Sequence, residues 1–194
     1  MQKKELLSIL TNKFPSIALP QSCLAALAET TATLTFPKGA TVIKEGQYCN
    51  QLFFIGAGGL RAYYLKDGKD ITDWFAFETE FVCSIRSYFL NVPSEHYIEA
   101  IEPTTALVLS KGSIDQLSEK YRAFERLSLQ IVTETMLHLQ QRIVSLQFET
   151  ALQKYQNLIA IRPNITQKVS LTHIASYLGI TLETLSRIRK KSRI

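Results

Sequence analysis

Ser170-Leu171-Thr172-His173-Ile174-Ala175-Ser176-Tyr177-Leu178-Gly179-Ile180-Thr181-Leu182-Glu183-Thr184-Leu185-Ser186-Arg187-Ile188-Arg189-Lys190 is the stretch on which the fold turns. Ser170 offers the short side-chain oxygen of a helix N-cap, and Leu171, Ile174, Ala175 and Leu178 follow at helical spacing. Gly179 stands where that helix must end, because glycine takes a left-handed conformation without steric cost. Thr181 can cap a second helix whose apolar face is Leu185 and Ile188. Two helices crossing this closely leave room only for a small side chain, which Ala175 supplies. The linked spacing of alanine, glycine and leucine predicts a helix-turn-helix.

The second helix then carries a polar face. Thr181, Leu182, Glu183, Thr184, Ser186, Arg187 and Lys190, with Ser170 on the first helix, are the candidate DNA-binding residues. A recognition helix enters the major groove by its N-terminal part. There Arg187 matches guanine through a bidentate bond, and Glu183 can accept from a cytosine amino group. Arg189, Lys191 and Arg193 suit phosphates, which add affinity without sequence choice.

Charge is distributed in agreement with this. Residues 160–194 hold seven basic side chains against the single acid Glu183, whereas the rest of the chain holds 15 basic and 16 acidic ones. A positive field confined to one end suits a polyanionic partner.

Upstream the texture changes. Residues 3–30 are helical in pattern, interrupted around Pro15 and Pro20. Over residues 31–112 glycines and turn pairs alternate with short β-branched and aromatic runs, the signature of an antiparallel sandwich or barrel. Leu60 to Lys69 reads as a hairpin with Asp67-Gly68 at its tip. From Ser113 to Arg162 there is neither glycine nor proline. Leu129, Val132, Met136, Leu139, Ile143 and Leu146 recur there in alternating steps of three and four, as in a heptad seam. Phe124, Leu127, Ile131 and Val144 form a second apolar set, so the helix needs two burial surfaces. We expect one of them to meet a second copy of the chain.

With these residues in view the chain resembles the Crp/Fnr regulators over nearly its whole length. The likeness runs from Phe36-Pro37-Lys38-Gly39 and Glu45-Gly46 through the long helix to His173–Ile188. It implies an α+β fold with an N-terminal antiparallel, jelly-roll-like β-roll of cyclic-nucleotide-binding type, a long dimerisation helix and a C-terminal winged helix-turn-helix. The corresponding divisions are 1–112, 113–147 and 148–194. It further implies a homodimer that binds double-stranded DNA at an inverted repeat, contact with RNA polymerase, and allosteric control by a small-molecule effector of unknown identity. Glu183, Thr184 and Arg187 fall where members place base-reading residues.

Departures from the family pattern narrow that implication. Members that bind cyclic AMP carry a Gly-Glu pair for the ribose and an Arg-Ser pair for the phosphate. Here Cys83-Ser84 and Ser94-Glu95 align with them, so the candidate ligand-binding set is Cys83, Ser84, Ile85, Arg86, Ser94, Glu95 and His96. A carboxylate in place of the phosphate's cation is repulsive, and Arg86, the nearby cation, is out of register. We expect no usual cyclic AMP binding. The N-terminal cysteines of the iron-sulfur members are missing, Leu182 replaces a frequent arginine, and with four residues after Lys190 the wing is expected around 161–169.

Other chemistry finds little footing. Cys23, Cys49 and Cys83 are odd in number and widely spaced, and His96, His138 and His173 are scattered, so neither a disulfide framework nor a metal or other cofactor is expected. No nucleophile-base motif or phosphate loop suggests an enzyme. The N-terminus lacks a signal-peptide pattern and no apolar run approaches a membrane span, so a cytoplasmic protein without membrane contact is expected. The competing reading is a ligand- or partner-binding sensor whose helical tail serves only oligomerisation.

Overall fold

The computed structural model describes residues 1–191. In chain order the elements are α1 (Lys3–Lys13), α2 (Gln21–Thr30), β1 (Ala32–Phe36), β2 (Thr41–Ile43), β3 (Gln51–Ala57), β4 (Gly59–Lys66), β5 (Lys69–Phe77) and β6 (Phe81–Val82). They continue with α3 (Ile85–Leu90), β7 (Tyr97–Ala100), β8 (Thr104–Ser110), α4 (Lys111–Lys120), α5 (Arg122–Phe148), α6 (Ala151–Ile161), α7 (Ile165–Lys168), α8 (Leu171–Leu178) and α9 (Leu182–Lys191).

The chain gathers into two compact units: Met1–Ala62 with Phe75–Thr133, and Tyr63–Trp74 with Glu134 onward. The strands make two four-stranded sheets, in the orders β1-β8-β3-β6 and β2-β7-β4-β5. In the first, β8 lies antiparallel between β1 and β3, with Val108 opposite Ala32 on one side and Phe53 on the other. Burial on both flanks explains the apolar run Ala106–Leu109. The predicted hairpin is present as β4 and β5, with Asp67 at φ 52° and Gly68 at φ 72°. Two left-handed residues at the tip match the right-handed twist of the arms.

In the first unit Leu6 and Leu10 of α1, Phe14 just after it, and Cys23 and Leu27 of α2 close over Phe54 and Leu107, joined by Leu117, Phe124 and Leu127. The expected single long helix is two. Tyr121 separates α4 from α5 with an extended backbone, φ −129° and ψ 104°. Its amide still donates to the Leu117 carbonyl and its hydroxyl donates to the Ser22 carbonyl. The break lets Leu117 on α4 and Phe124 and Leu127 on α5 all reach one core. An unbroken rod would present these residues along one line.

In the second unit α6, α8 and α9 share a core of Tyr155, Leu158, Ile174, Ala175, Leu178, Leu185 and Ile188, with Ile165 and Val169 also buried. The segment expected to form a wing carries no strand. Ile165, which opens the single-turn helix α7, and Val169, just after its last residue, are both buried. A strand would also bury Gln167, midway between them, and Gln167 is exposed. Among the described residues no helix is long and apolar enough to cross a membrane.

Candidate nucleic-acid interface and β-roll pocket

The α8–α9 pair is assembled by the local signals of its sequence. Ser170 caps α8, its hydroxyl accepting from the His173 amide at 3.2 Å. Gly179 takes φ 66° and ψ 35°, and the Ile180 amide returns to the Ala175 carbonyl at 3.0 Å. Thr181 opens α9, its hydroxyl accepting from the Thr184 amide at 3.2 Å. Leu185 is fully buried and Ala175 nearly so. The crossing of the two helices therefore rests on the alanine, glycine and leucine singled out in the sequence.

The outward face of α9 is open. Leu182, Glu183, Ser186, Arg187 and Lys190 line one surface depression. Thr181, Glu183, Arg187 and Lys190 are exposed, while Thr184, Ser186 and Arg189 are half-buried. The backbone amide of Glu183 and the Thr181 hydroxyl hold the Glu183 carboxyl below its ordinary range, against a small opposing effect of burial. It is therefore ionised at neutral pH beside the cations Arg187 and Lys190. The face offers both an acceptor and donors to a polar partner. Arg193 and the side chain of Lys191, expected at phosphates, lie outside the described residues.

One residue of α8 has a role that sequence inspection missed. The Ser176 hydroxyl accepts from the buried Thr72 amide at 2.8 Å and donates to the Asp70 carbonyl at 3.1 Å. It thus ties the β5 arm of the hairpin to the first helix of the pair. Nearby, the Arg142 guanidinium lies 4.1 Å from the Tyr177 ring centre and donates to the Tyr177 carbonyl at 3.0 Å.

In the β-roll the two aligned pairs do converge. The Ser84 hydroxyl donates to the Ser94 hydroxyl at 2.9 Å, which in turn donates to the His96 carbonyl at 2.7 Å. The Ser94 amide and carbonyl bond Gln47 and Gly46, both at 2.8 Å. Ser84, Ser94 and His96 are buried, whereas Ile85, Arg86 and Glu95 are exposed. Arg86, taken from the sequence as out of register, pairs with Glu95. The carboxylate is thus matched within the chain rather than left repulsive. Burial, with a contribution from Cys49, pushes the Cys83 thiol up to about 12, so it is a neutral packing group.

Arg61 is the other residue that the sequence hid. Only 2% exposed, it binds the Glu99 carboxylate through two nitrogens at 3.0 and 2.8 Å. A cation among Leu60 and Ala62 on a strand is the signal that could have marked it. Among the described residues no group of histidines, cysteines and carboxylates could hold a metal ion.

Residues 33–121 match the family described as "Cyclic nucleotide-binding domain". Solved structures extend the likeness to the rest of the chain. FixK2 from Bradyrhizobium japonicum is 19% identical with a TM-score of 0.72, covering 83% of each chain. The catabolite activator protein of Thermus thermophilus is 16% identical, with a TM-score of 0.56, over 90% of this chain and 84% of that one. A structure from Eubacterium rectale, described as a Crp/Fnr-family transcriptional regulator of putative status, is 17% identical with a TM-score of 0.67, again over 90% and 84%. The fold is that of the Crp/Fnr regulators. No curated protein matches this chain by sequence. At such identities the likeness concerns the backbone, and the chemistry must be read from the chain's own side chains.

Proposed function

We propose that the chain is a homodimeric, sequence-specific DNA-binding transcription regulator of the Crp/Fnr type. The observation that carries this reading is the α9 face: a capped, exposed helix with Glu183, Arg187 and Lys190 outward and Leu185 and Ile188 inward. In the major groove Arg187 would bond a guanine edge and Glu183 a cytosine amino group, with Thr181, Leu182, Thr184 and Ser186 filling the contact and Ser170 and Lys190 near the backbone. The roles divide as sensor (1–112), dimerisation helix (113–147) and reader (148–194). A wing, as the family's helix-turn-helix carries, would have to be supplied elsewhere than 161–169.

Exposure along α5 supports the dimer. Leu129 is 66% and Met136 59% exposed, Val132, Ile143 and Leu146 are exposed as well, and Leu139 is half-buried. Phe124 and Leu127 turn to the chain's own core. An apolar stripe of that length left to water is a liability unless a second copy covers it. The two readers of such a dimer would sit about one DNA turn apart, roughly 34 Å, on an inverted repeat.

The β-roll would not hold cyclic AMP in the usual way, because Glu95 stands at the phosphate position and Arg86 is committed to it. A different effector would act on it, and the DNA-bound dimer would present a face to RNA polymerase.

Selection of bound sites from random duplex DNA tests the reading. A two-fold symmetric motif is expected. Arg187→Ala should cost roughly 1–3 kcal/mol and relax choice at one base position, while Lys190→Ala should mainly flatten the salt dependence. Recovery of no enriched motif, with retention on DNA unchanged by removing residues after Ile165, would favour the oligomerisation reading instead.

A further inference from the structure

We infer that the first unit holds a second ligand site, outside the aligned cyclic-nucleotide pocket, for a small uncharged molecule with an apolar body and one hydrogen-bond acceptor. The site is a cavity of about 220 Å³ between α1, β3, α3, β8, α4 and α5. Leu10, Leu52, Leu109, Phe124, Leu127 and Ile131 give it an apolar wall. An apolar cavity of about 150 Å³ takes up benzene, so by proportion this one suits a ligand of about nine non-hydrogen atoms.

Its polar inventory fixes the rest. Tyr88 forms part of the wall and is 6% exposed, and its hydroxyl has no hydrogen-bond partner among the described residues. A phenol at the wall of the site that bonds nothing else in the chain can donate its O–H to a ligand acceptor. Burial, followed by the charges of Cys83 and Asp115, holds that phenol protonated well beyond neutral pH, so it is a donor. The charges at the cavity are already spent on each other: Lys111 binds Asp115 at 2.8 Å. Neither a carboxylate nor an ammonium would find a free counter-charge, and an uncharged ligand requires none. The groups aligned with the cyclic-nucleotide contacts, Ser84, Ser94 and Glu95, are absent from the lining.

Acetophenone, ethylbenzene and benzoate probe these features separately on the full chain, by protein-observed NMR titration. Acetophenone should bind saturably and shift the amides of Leu109 and Leu127, with ethylbenzene weaker and benzoate undetected. Tyr88→Phe should weaken acetophenone about fivefold, the worth of one hydrogen bond, and leave ethylbenzene unchanged. Ser128→Leu, which fills the cavity from α5, should abolish both. Failure of the unsubstituted chain to bind acetophenone at millimolar concentration would overturn the site, as would equal losses of both probes in Tyr88→Phe. Benzoate binding as tight as acetophenone would overturn the uncharged class. DNA selection reads none of these outcomes, so the two proposals stand or fall separately.

Discussion

Replacing Gly179 by alanine asks whether the helix crossing depends on one backbone conformation. Gly179 sits at φ 66° between α8 and α9. An L-residue in that region costs about 1–2 kcal/mol, from the approach of its Cβ to the following carbonyl. The added Cβ would also lie 3.3 Å from Leu146 Cδ2, tight enough to require a shift of a few tenths of an ångström. Leu146 is 42% exposed and can give, so this contact adds little. The expected loss is therefore about 1–2 kcal/mol. For a unit of this size each kcal/mol lowers the melting transition by roughly 4–8 °C. Asparagine separates the backbone effect from loss of glycine as such. The chain already ends α3 with Asn91 at φ 52° and ψ 46°, so asparagine is accommodated in this conformation. Gly179→Asn should therefore cost less than half as much as Gly179→Ala. Amide exchange at Leu185 and Ile188, read by NMR below the transition, should accelerate about tenfold in the alanine variant. Equal losses for the two substitutions, or none for alanine, would refute the argument that the left-handed residue sets the crossing.

Three further outcomes follow from named contacts. Ser176→Ala removes the acceptor of the buried Thr72 amide, a loss of roughly 1–3 kcal/mol, so exchange at Thr72 should quicken by about one to two orders of magnitude. Unchanged exchange there would show that the hairpin is not held by this serine. The Glu183 carboxyl should titrate below its ordinary value of 4.5, and Thr181→Val should recover only the smaller part of that shift, because the backbone amide of Glu183 contributes more. Its stabilising contribution is present above the unfolded value and disappears as the pH falls through the folded one, a sign that carboxyl-detected NMR checks directly. Calorimetry with cyclic AMP and cyclic GMP should give no saturable micromolar binding, and such binding would reverse the argument from Glu95.

What could be read in advance tracks how local the cause is. The α8–α9 pair follows from a cap, a left-handed glycine and apolar spacing, all within about twenty residues, so its sequence specified it closely. The Asp67-Gly68 tip was legible for the same reason. The break at Tyr121 was not, since no proline or glycine marks it and the cause is tertiary. Leu117 and Phe124 must share one core, and the Tyr121 hydroxyl reaches Ser22 across the unit. Ser176 and Thr72 lie 104 residues apart, and Arg61 and Glu99 are 38 apart. No periodicity can announce such partners. The wing expected at 161–169 came from resemblance rather than from residues. The polar Gln167 between the apolar Ile165 and Val169 already spoke against a strand there.

The β-roll shows why a family match describes a scaffold before it describes a ligand. Residues 33–121 keep the strand framework of the cyclic nucleotide-binding domain. Its polar groups, however, are directed at each other. Ser84 bonds Ser94, Ser94 is held to Gly46 and Gln47 through its backbone, Arg86 pairs with Glu95, and Arg61 with Glu99. A cyclic phosphate arriving there would have to separate Arg86 from Glu95 and then sit beside the released carboxylate. Its attraction to the arginine would be offset by repulsion of similar size from the neighbouring carboxylate. The site beside Tyr88 presents the opposite balance, a phenol that bonds nothing else in the chain within a largely apolar lining. Binding there, as proposed, would add a hydrogen bond and bury apolar surface without separating that ion pair. By that balance a small uncharged molecule would suit the proposed site better than a nucleotide would suit the aligned one.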